Sequence, residues 1–201
     1  STILRLPEFQ NEFGMGWNGD HTELENGSWG PRFDGSMQLW GNKYENSQKL
    51  KPYSPIKNNI KDFFDAGFRY NNSVSFNGAT DKSEYYVSFS QISDDGMVPT
   101  DADSYDKYTF SARGSHKVKA LTFSSSLNYS YQKNKFATTG QGLTMLNSLY
   151  QTPRDVSIIS LQDQNDIFNS PGYFYTPYGV MNPYYILENY LNEYDAERFY
   201  G

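Results

Sequence analysis

The stretch Leu121-Thr122-Phe123-Ser124-Ser125-Ser126-Leu127-Asn128-Tyr129-Ser130-Tyr131-Gln132 decides the fold. Leu121, Phe123, Leu127, Tyr129 and Tyr131 alternate with Thr122, Ser124, Ser126, Asn128, Ser130 and Gln132. Successive side chains of an extended chain point to opposite faces, so this period of two is a strand with one apolar and one hydrophilic face. Upstream the same pattern occurs three more times. Phe68, Tyr70, Val74 and Phe76 alternate with Arg69, Asn71, Ser73 and Ser75; Tyr85, Val87 and Phe89 with Glu84, Ser88 and Ser90; Tyr108, Phe110 and Ala112 with Lys107, Thr109, Ser111 and Arg113. The first and last of the four run for about 11 residues, the length a tilted strand needs to cross a bilayer, whereas strands of soluble sheets average nearer 5–6.

Connection lengths give the strands a direction. The first pair meets through Gly78 to Ser83 and the second through Ser115 to Lys119, while an acidic stretch, Ser93 to Asp106, separates the pairs. Longer excursions precede the first strand and follow the fourth. Short and long connections therefore alternate, which puts every short one on a single rim, the asymmetry of outer-membrane barrels with short periplasmic turns and long extracellular loops. The expected fold is all-β: antiparallel strands of a transmembrane β-barrel, with long extracellular loops containing short helices. On that reading residues 1–5 end a strand, 6–67 form an extracellular loop, 68–92 a hairpin, 93–106 a second loop, 107–132 a second hairpin, 133–197 a third loop, and 198–201 start a further strand. Tyr70, Val74, Phe76, Tyr85, Val87, Phe89, Tyr108, Phe110, Leu121, Phe123, Leu127 and Tyr129 are the expected lipid-facing residues. The aromatics among them fall at two levels separated by Val74, Val87 and Leu127, as in interfacial girdles, although Tyr and Phe are also good strand formers. A sheet in lipid tolerates no unpaired edge, so the remaining strands are expected from sequence beyond both ends.

Composition narrows the function classes. The chain has 201 residues, a formal charge of −6, 18 Tyr, 14 Phe and no Cys. An acidic chain is a poor partner for nucleic acid, which requires a basic surface. Without cysteine there are neither disulfides nor thiolate chemistry. No apolar run approaches the roughly 20 residues of a membrane-spanning helix. His21 and His116 have no partners at metal spacing and read as surface histidines, His116 in a short turn. Asp94, Asp95, Asp101, Asp103 and Asp106 lack the twelve-residue order and closing Glu of a calcium loop, and a solvated acidic loop is the expectation. Nucleophile elbows, phosphate loops and dinucleotide fingerprints are missing, so neither an enzyme nor a cofactor is expected.

The long loops are too rich in large apolar groups to read as disordered. Short helices are expected at Asn59 to Ala66, with Gly67 as the stop, at Leu143 to Tyr150 before Pro153, and from Pro183, which Asn182 caps. Trp17, Trp29, Trp40, Tyr173, Tyr175 and Tyr178 are candidate substrate-binding residues, because exposed aromatic faces stack on ligands; packing of the loops on one another uses the same residues.

Several of these stretches occur together in one family. Leu6-Pro7-Glu8-Phe9-Gln10-Asn11-Glu12-Phe13-Gly14, Ser28-Trp29-Gly30-Pro31-Arg32-Phe33-Asp34-Gly35, Asp62-Phe63-Phe64-Asp65-Ala66-Gly67, Glu84-Tyr85-Tyr86-Val87-Ser88-Phe89-Ser90 with Asp95-Gly96-Met97-Val98-Pro99, and Asn182-Pro183-Tyr184-Tyr185 resemble, in order, the early barrel of SusC/RagA-type TonB-dependent transporters of Bacteroidetes. The resemblance implies a barrel of about 22 strands closed by a plug. It also implies a bacterial outer-membrane location, a TonB-engaging segment, a SusD-like surface lipoprotein as partner, and import of oligosaccharides or, in some members, peptides. Neither the plug nor the TonB-engaging segment lies in these residues. A passive porin and a soluble glycan-binding β-sandwich are the competing expectations.

Overall fold

Aromatic, β-branched and hydroxyl side chains fill the alternating segments, and each segment finds a neighbour of the same pattern to pair with, so extended chain wins there. The computed structural model describes residues 9–176 and 178–201. The expected strand end at 1–5 and the Leu6-Pro7-Glu8 motif lie outside the described residues. Among the described residues seven strands and two α-helices follow in chain order: β1 (Met37–Tyr44), β2 (Ser47–Pro52), β3 (Phe68–Ala79), β4 (Ser83–Asp95), β5 (Ser104–Val118), β6 (Leu121–Ala137), α1 (Met145–Gln151), α2 (Pro183–Asn189) and β7 (Leu191–Tyr200). The chain divides into a sheet unit, Asp65–Ala137 with Leu191–Gly201, and a loop unit made of the described residues up to Phe64 with Thr138–Tyr190.

The sheet unit is a five-stranded antiparallel sheet in the order β3-β4-β5-β6-β7. Register places the apolar positions in continuous rows. Val74 pairs with Phe89, Phe89 with Phe110, Phe110 with Tyr129, and Tyr129 with Phe199. The next row runs Phe76, Val87, Ala112, Leu127. On the opposite face Ser73, Ser90, Thr109, Ser130 and Arg198 form one row, and Ser75, Ser88, Ser111, Asn128 and Tyr200 another. A one-residue slip in any strand would interleave the two sets, so the pattern itself fixes the register.

All five strands are longer than, or begin and end differently from, the expected segments. The hairpin at 68–92 extends to Asp95, the loop at 93–106 shrinks to residues 96–103, and the hairpin at 107–132 becomes 104–137. The last strand starts at Leu191 rather than at 198, so the third loop occupies 138–190 and not 133–197. The reason is charge. Above Tyr108 and Tyr131 the apolar face carries Asp106, Lys133 and Asp195 side by side, then Lys135 in an ion pair with Glu193 at 3.7 Å. Cross-strand charge pairs sustain a ladder as well as apolar ones, but leave no hydrophobic period to read.

Two short connections close the hairpins. Thr80 to Lys82 is locked by the Ser83 N–H donating to Thr80 Oγ1 at 3.0 Å. Lys119 and Ala120 make a two-residue turn with Lys119 at φ 55°, the left-handed first position such hairpins favour. His116 is thereby in β5, not in a turn, with Ser83 Oγ 2.7 Å from its Nδ1.

The hydrophobic core lies elsewhere. Not one residue of β3 to β7 is buried, and Val74, Phe76, Leu121 and Phe123 are 48%, 65%, 65% and 61% exposed. The loop unit, by contrast, buries Met15, Trp40, Tyr53, Phe63, Leu149, Ile158, Tyr175 and Ile186. It contains a hairpin, β1 with β2, inside the stretch 6–67 expected only as an extracellular loop with a short helix. Its helices are α1, capped by Thr144, and α2, with Asn182 Oδ1 accepting the Tyr184 N–H at 3.0 Å and Pro183 in the first turn. The helix expected over Asn59 to Ala66 is only a 3₁₀ turn, Lys61–Phe63. Among the described residues no helix is long and apolar enough to cross a membrane.

Tyr85 has Gly78 opposite it on β3 and Gly114 opposite it on β5. Its ring lies over Gly78, where a Cβ would collide with it, whereas a Cβ at Gly114 would meet only the Glu84 carbonyl at 3.6 Å. Gly78→Val should therefore destabilise the sheet by about 1–3 kcal/mol, and Gly114→Ala by clearly less. Thermal unfolding followed by far-UV circular dichroism on the intact protein measures both; equal losses would remove the role given to the Tyr85 ring.

Candidate functional site

The loop unit is assembled around a short segment, Arg154 to Ile158, to which distant residues return. Asp155 is buried, and its Oδ1 accepts the Met15 N–H at 3.0 Å while Oδ2 is ion-paired with Lys51. Burial pushes the Lys51 ammonium below the ordinary lysine range, and the carboxylate against it favours keeping the charge. The Trp40 and Tyr53 rings flank the ammonium at 5.9 and 5.5 Å. Arg154 donates from Nε to the Gln10 carbonyl (3.0 Å) and from Nη2 to Asn11 Oδ1 (2.8 Å). Asn59 donates to the Val156 carbonyl (2.7 Å) and accepts the Ile158 N–H (3.0 Å). One short segment is thus tied to chain more than 90 residues earlier at these six points.

A second set of ties sits nearby. Lys49 reaches Asp166 at 2.8 Å and Asn169 Oδ1 at 2.9 Å. Burial raises the Asp166 carboxyl, but hydrogen bonds from Lys49 and the Phe168 N–H outweigh it and hold the group below the usual carboxylate range. The Asn182 amide donates to the carbonyls of Leu161 (2.8 Å) and Asn169 (3.1 Å). Asn42 donates to the Phe174 carbonyl at 2.8 Å.

The six aromatic candidates do not form one surface. Trp40 and Tyr175 are buried and pack together, ring centroids 5.4 Å apart, so neither presents a face to a ligand; burial also pushes the Tyr175 phenol up. Tyr173 is half-buried, edge-on to Tyr44 at 5.0 Å. Trp17, Trp29 and Tyr178 remain exposed. Trp17 is presented by a tight turn in which Asn18 and Gly19 both have positive φ, at 53° and 84°, and its ring rests on Gly27. Trp29 lies 6.0 Å from the Phe13 ring, which Arg32 covers at 5.1 Å.

Two concavities accompany these residues, each inside one unit. The first, about 430 Å³, lies in the loop unit between β2 and the segment around Ser157 and Ser160, with Trp40, Leu50, Pro52 and Ile56 on its walls. The second, about 710 Å³, lies on the sheet near the short turns, where Asn77, Glu84, Tyr86 and Arg113 surround it and the Arg113 guanidinium sits 4.7 Å from the Tyr86 ring. Sequence reading had no means of finding the first: Lys51 and Asp155 are 104 residues apart, and neither stands in a motif.

The acidic stretch is dispersed. Asp94 faces Arg69 at 3.5 Å, Asp106 accepts the Ser93 hydroxyl at 2.7 Å, and Asp103 takes the Val98 N–H at 3.2 Å. Among the described residues no group of three or more His, Cys, Asp or Glu could hold a metal ion. His21 is half-buried, edge-on to Tyr53 at 5.5 Å, with Nε2 3.2 Å from the Leu39 carbonyl, rather than a free surface histidine. No protein-family model and no curated protein matches the chain.

Asp155→Ala should cost about 3–5 kcal/mol, because it strands the buried Lys51 ammonium. The double change Lys51→Met with Asp155→Leu should recover part of that loss. Thermal unfolding of the loop unit within the intact protein, followed by the fluorescence of buried Trp40, is the measurement. A single substitution that leaves the midpoint unchanged would remove the pair from its central place.

Proposed function

We propose that the chain supplies early barrel strands and extracellular loops of a TonB-dependent outer-membrane importer of the SusC/RagA type. The observation that carries this reading is the combination of aligned apolar rows with strands that bury nothing. An apolar face of this extent is not left to water, and monomeric soluble proteins rarely expose one. A β-sandwich would have packed Val74, Val87, Phe89 and Leu127 into an interior. A bilayer covers such a face without a second sheet.

Dimensions support the same assignment. From Tyr108 to Val118 the apolar side of β5 spans about 10 residues at ~3.4 Å each, which at a tilt of about 40° matches the apolar band of roughly 25 Å in outer-membrane barrels. The other face, rich in Ser, Thr and Asn, would line an aqueous lumen. Above the band, the charged rows of β5, β6 and β7 would stand outside the hydrocarbon.

In this reading the loop unit helps build the extracellular vestibule, where bulky nutrients, oligosaccharides foremost, are captured together with a SusD-like lipoprotein. TonB acts through a segment outside these residues and drives release through the lumen. Importers need a loop platform of defined shape, and the buried Lys51–Asp155 pair and Asn182 supply one. Deleting the TonB-binding segment of the full transporter should abolish nutrient uptake while surface binding persists. Uptake that continues unchanged would refute energy coupling and favour a passive pore.

A further inference from the structure

The β1–β2 hairpin leaves one edge open, and that edge faces the 430 Å³ cavity. Pairing of Met37 with Pro52, Gln38 with Lys51, Leu39 with Leu50 and Trp40 with Lys49 fixes which backbone groups point where. Pro52 has no N–H, so its pair is the non-hydrogen-bonded kind, and the alternation of antiparallel ladders makes Leu39 with Leu50 non-hydrogen-bonded as well. The outer edge of β1 confirms this parity: the Leu39 carbonyl meets His21, and the Gly41 N–H donates to the Glu23 carbonyl. On β2 the N–H and C=O of Leu50 therefore point away from β1, toward the cavity that Lys49, Leu50, Lys51 and Pro52 line. Among the described residues neither group has a backbone partner.

We infer that this groove binds an extended peptide, which adds to β2 as a third strand. The free groups choose the ligand class. The Leu50 N–H and C=O and the Pro52 C=O stand two residues apart, about 6.8 Å along the strand, and another extended backbone repeats at the same spacing. A sugar ring offers hydroxyls but no such repeat. The Pro52 carbonyl accepts without donating, so pairing ends there and gives the groove a defined limit. Pro55 and Ile56 offer apolar contact to the inward side chains, and Ser157 and Ser160 form the far wall. The inference stands on the loop unit alone and does not require the sheet to lie in a membrane.

The test uses the intact protein carrying Ser160→Cys, since this chain has no cysteine of its own. Maleimide labelling of the introduced thiol is timed with three probes: the hexapeptide Ser-Val-Ser-Val-Ser-Val, the same peptide methylated on every backbone nitrogen, and maltohexaose. The unmodified peptide should slow labelling, and the methylated one should need at least about tenfold higher concentration for equal protection, equivalent to about 1.4 kcal/mol. Equal protection by the methylated peptide, protection by maltohexaose at the peptide's concentration, or no protection by the unmodified peptide at millimolar concentration would each overturn strand addition. None of these results bears on whether uptake requires TonB, so the two proposals fail separately.

Discussion

An apolar sheet face has to be covered, and in this protein the sheet does not cover its own. One apolar row, Val74, Phe89, Phe110, Tyr129 and Phe199, runs across all five strands and a second across four, yet every residue in those strands stays at least partly exposed. At about 25 cal/mol per Å² of apolar area, leaving such a band in water would forfeit much of what a domain gains by folding. The rest of the architecture follows from how that deficit is met. On the proposed reading bilayer lipid meets it without a second layer of protein, and that reading also accounts for the hydroxyl-rich opposite face, which would be wasted against a core.

The core the sheet lacks is found in the loops. Segments that enter the chain before β3 and after β6 fold on each other as a unit with its own interior. What holds it is polar as much as apolar. Asp155, Lys51, Asn59, Arg154 and Asn182 place backbone and side-chain hydrogen bonds inside, each satisfied, and such networks specify one arrangement where greasy contact alone would allow several. The proposed capture of a ligand requires a platform of fixed shape, and the open edge of β2 leaves such a platform accessible.

Much of the sheet was legible in the sequence because burial and exposure alternate by a rule that needs no tertiary knowledge. Leu121 to Gln132 declared a strand unaided. Legibility stopped where the rule changed: Asp106, Lys133 and Asp195 continue the ladder by charge pairing, so β5, β6 and β7 run past the ends that apolar period alone marks. The β1–β2 hairpin escaped because its register shifts between Trp40 and Tyr44, where Gly41 has φ 76°, and because its turn, Glu45 with Asn46, lacks the Asn-Gly signal. In the candidate site, local chemistry capped α2 with Asn182 but offered nothing to separate exposed Trp17 and Trp29 from buried Trp40 and Tyr175. It could not know that Trp40 and Tyr175 would meet each other, or that Lys51 would meet Asp155, since those contacts are decided by how two distant stretches dock.

The central claim, lipid on one face and water on the other, is tested most directly by a cysteine scan along β5. Thr109→Cys, Phe110→Cys, Ser111→Cys and Ala112→Cys are made singly in the intact protein, reconstituted into liposomes and labelled with a fluorophore. Labels at 110 and 112 should be quenched by lipid-borne bromine and shielded from aqueous iodide, with 109 and 111 showing the reverse. Iodide reaching all four equally, or brominated lipid reaching none, would contradict the account.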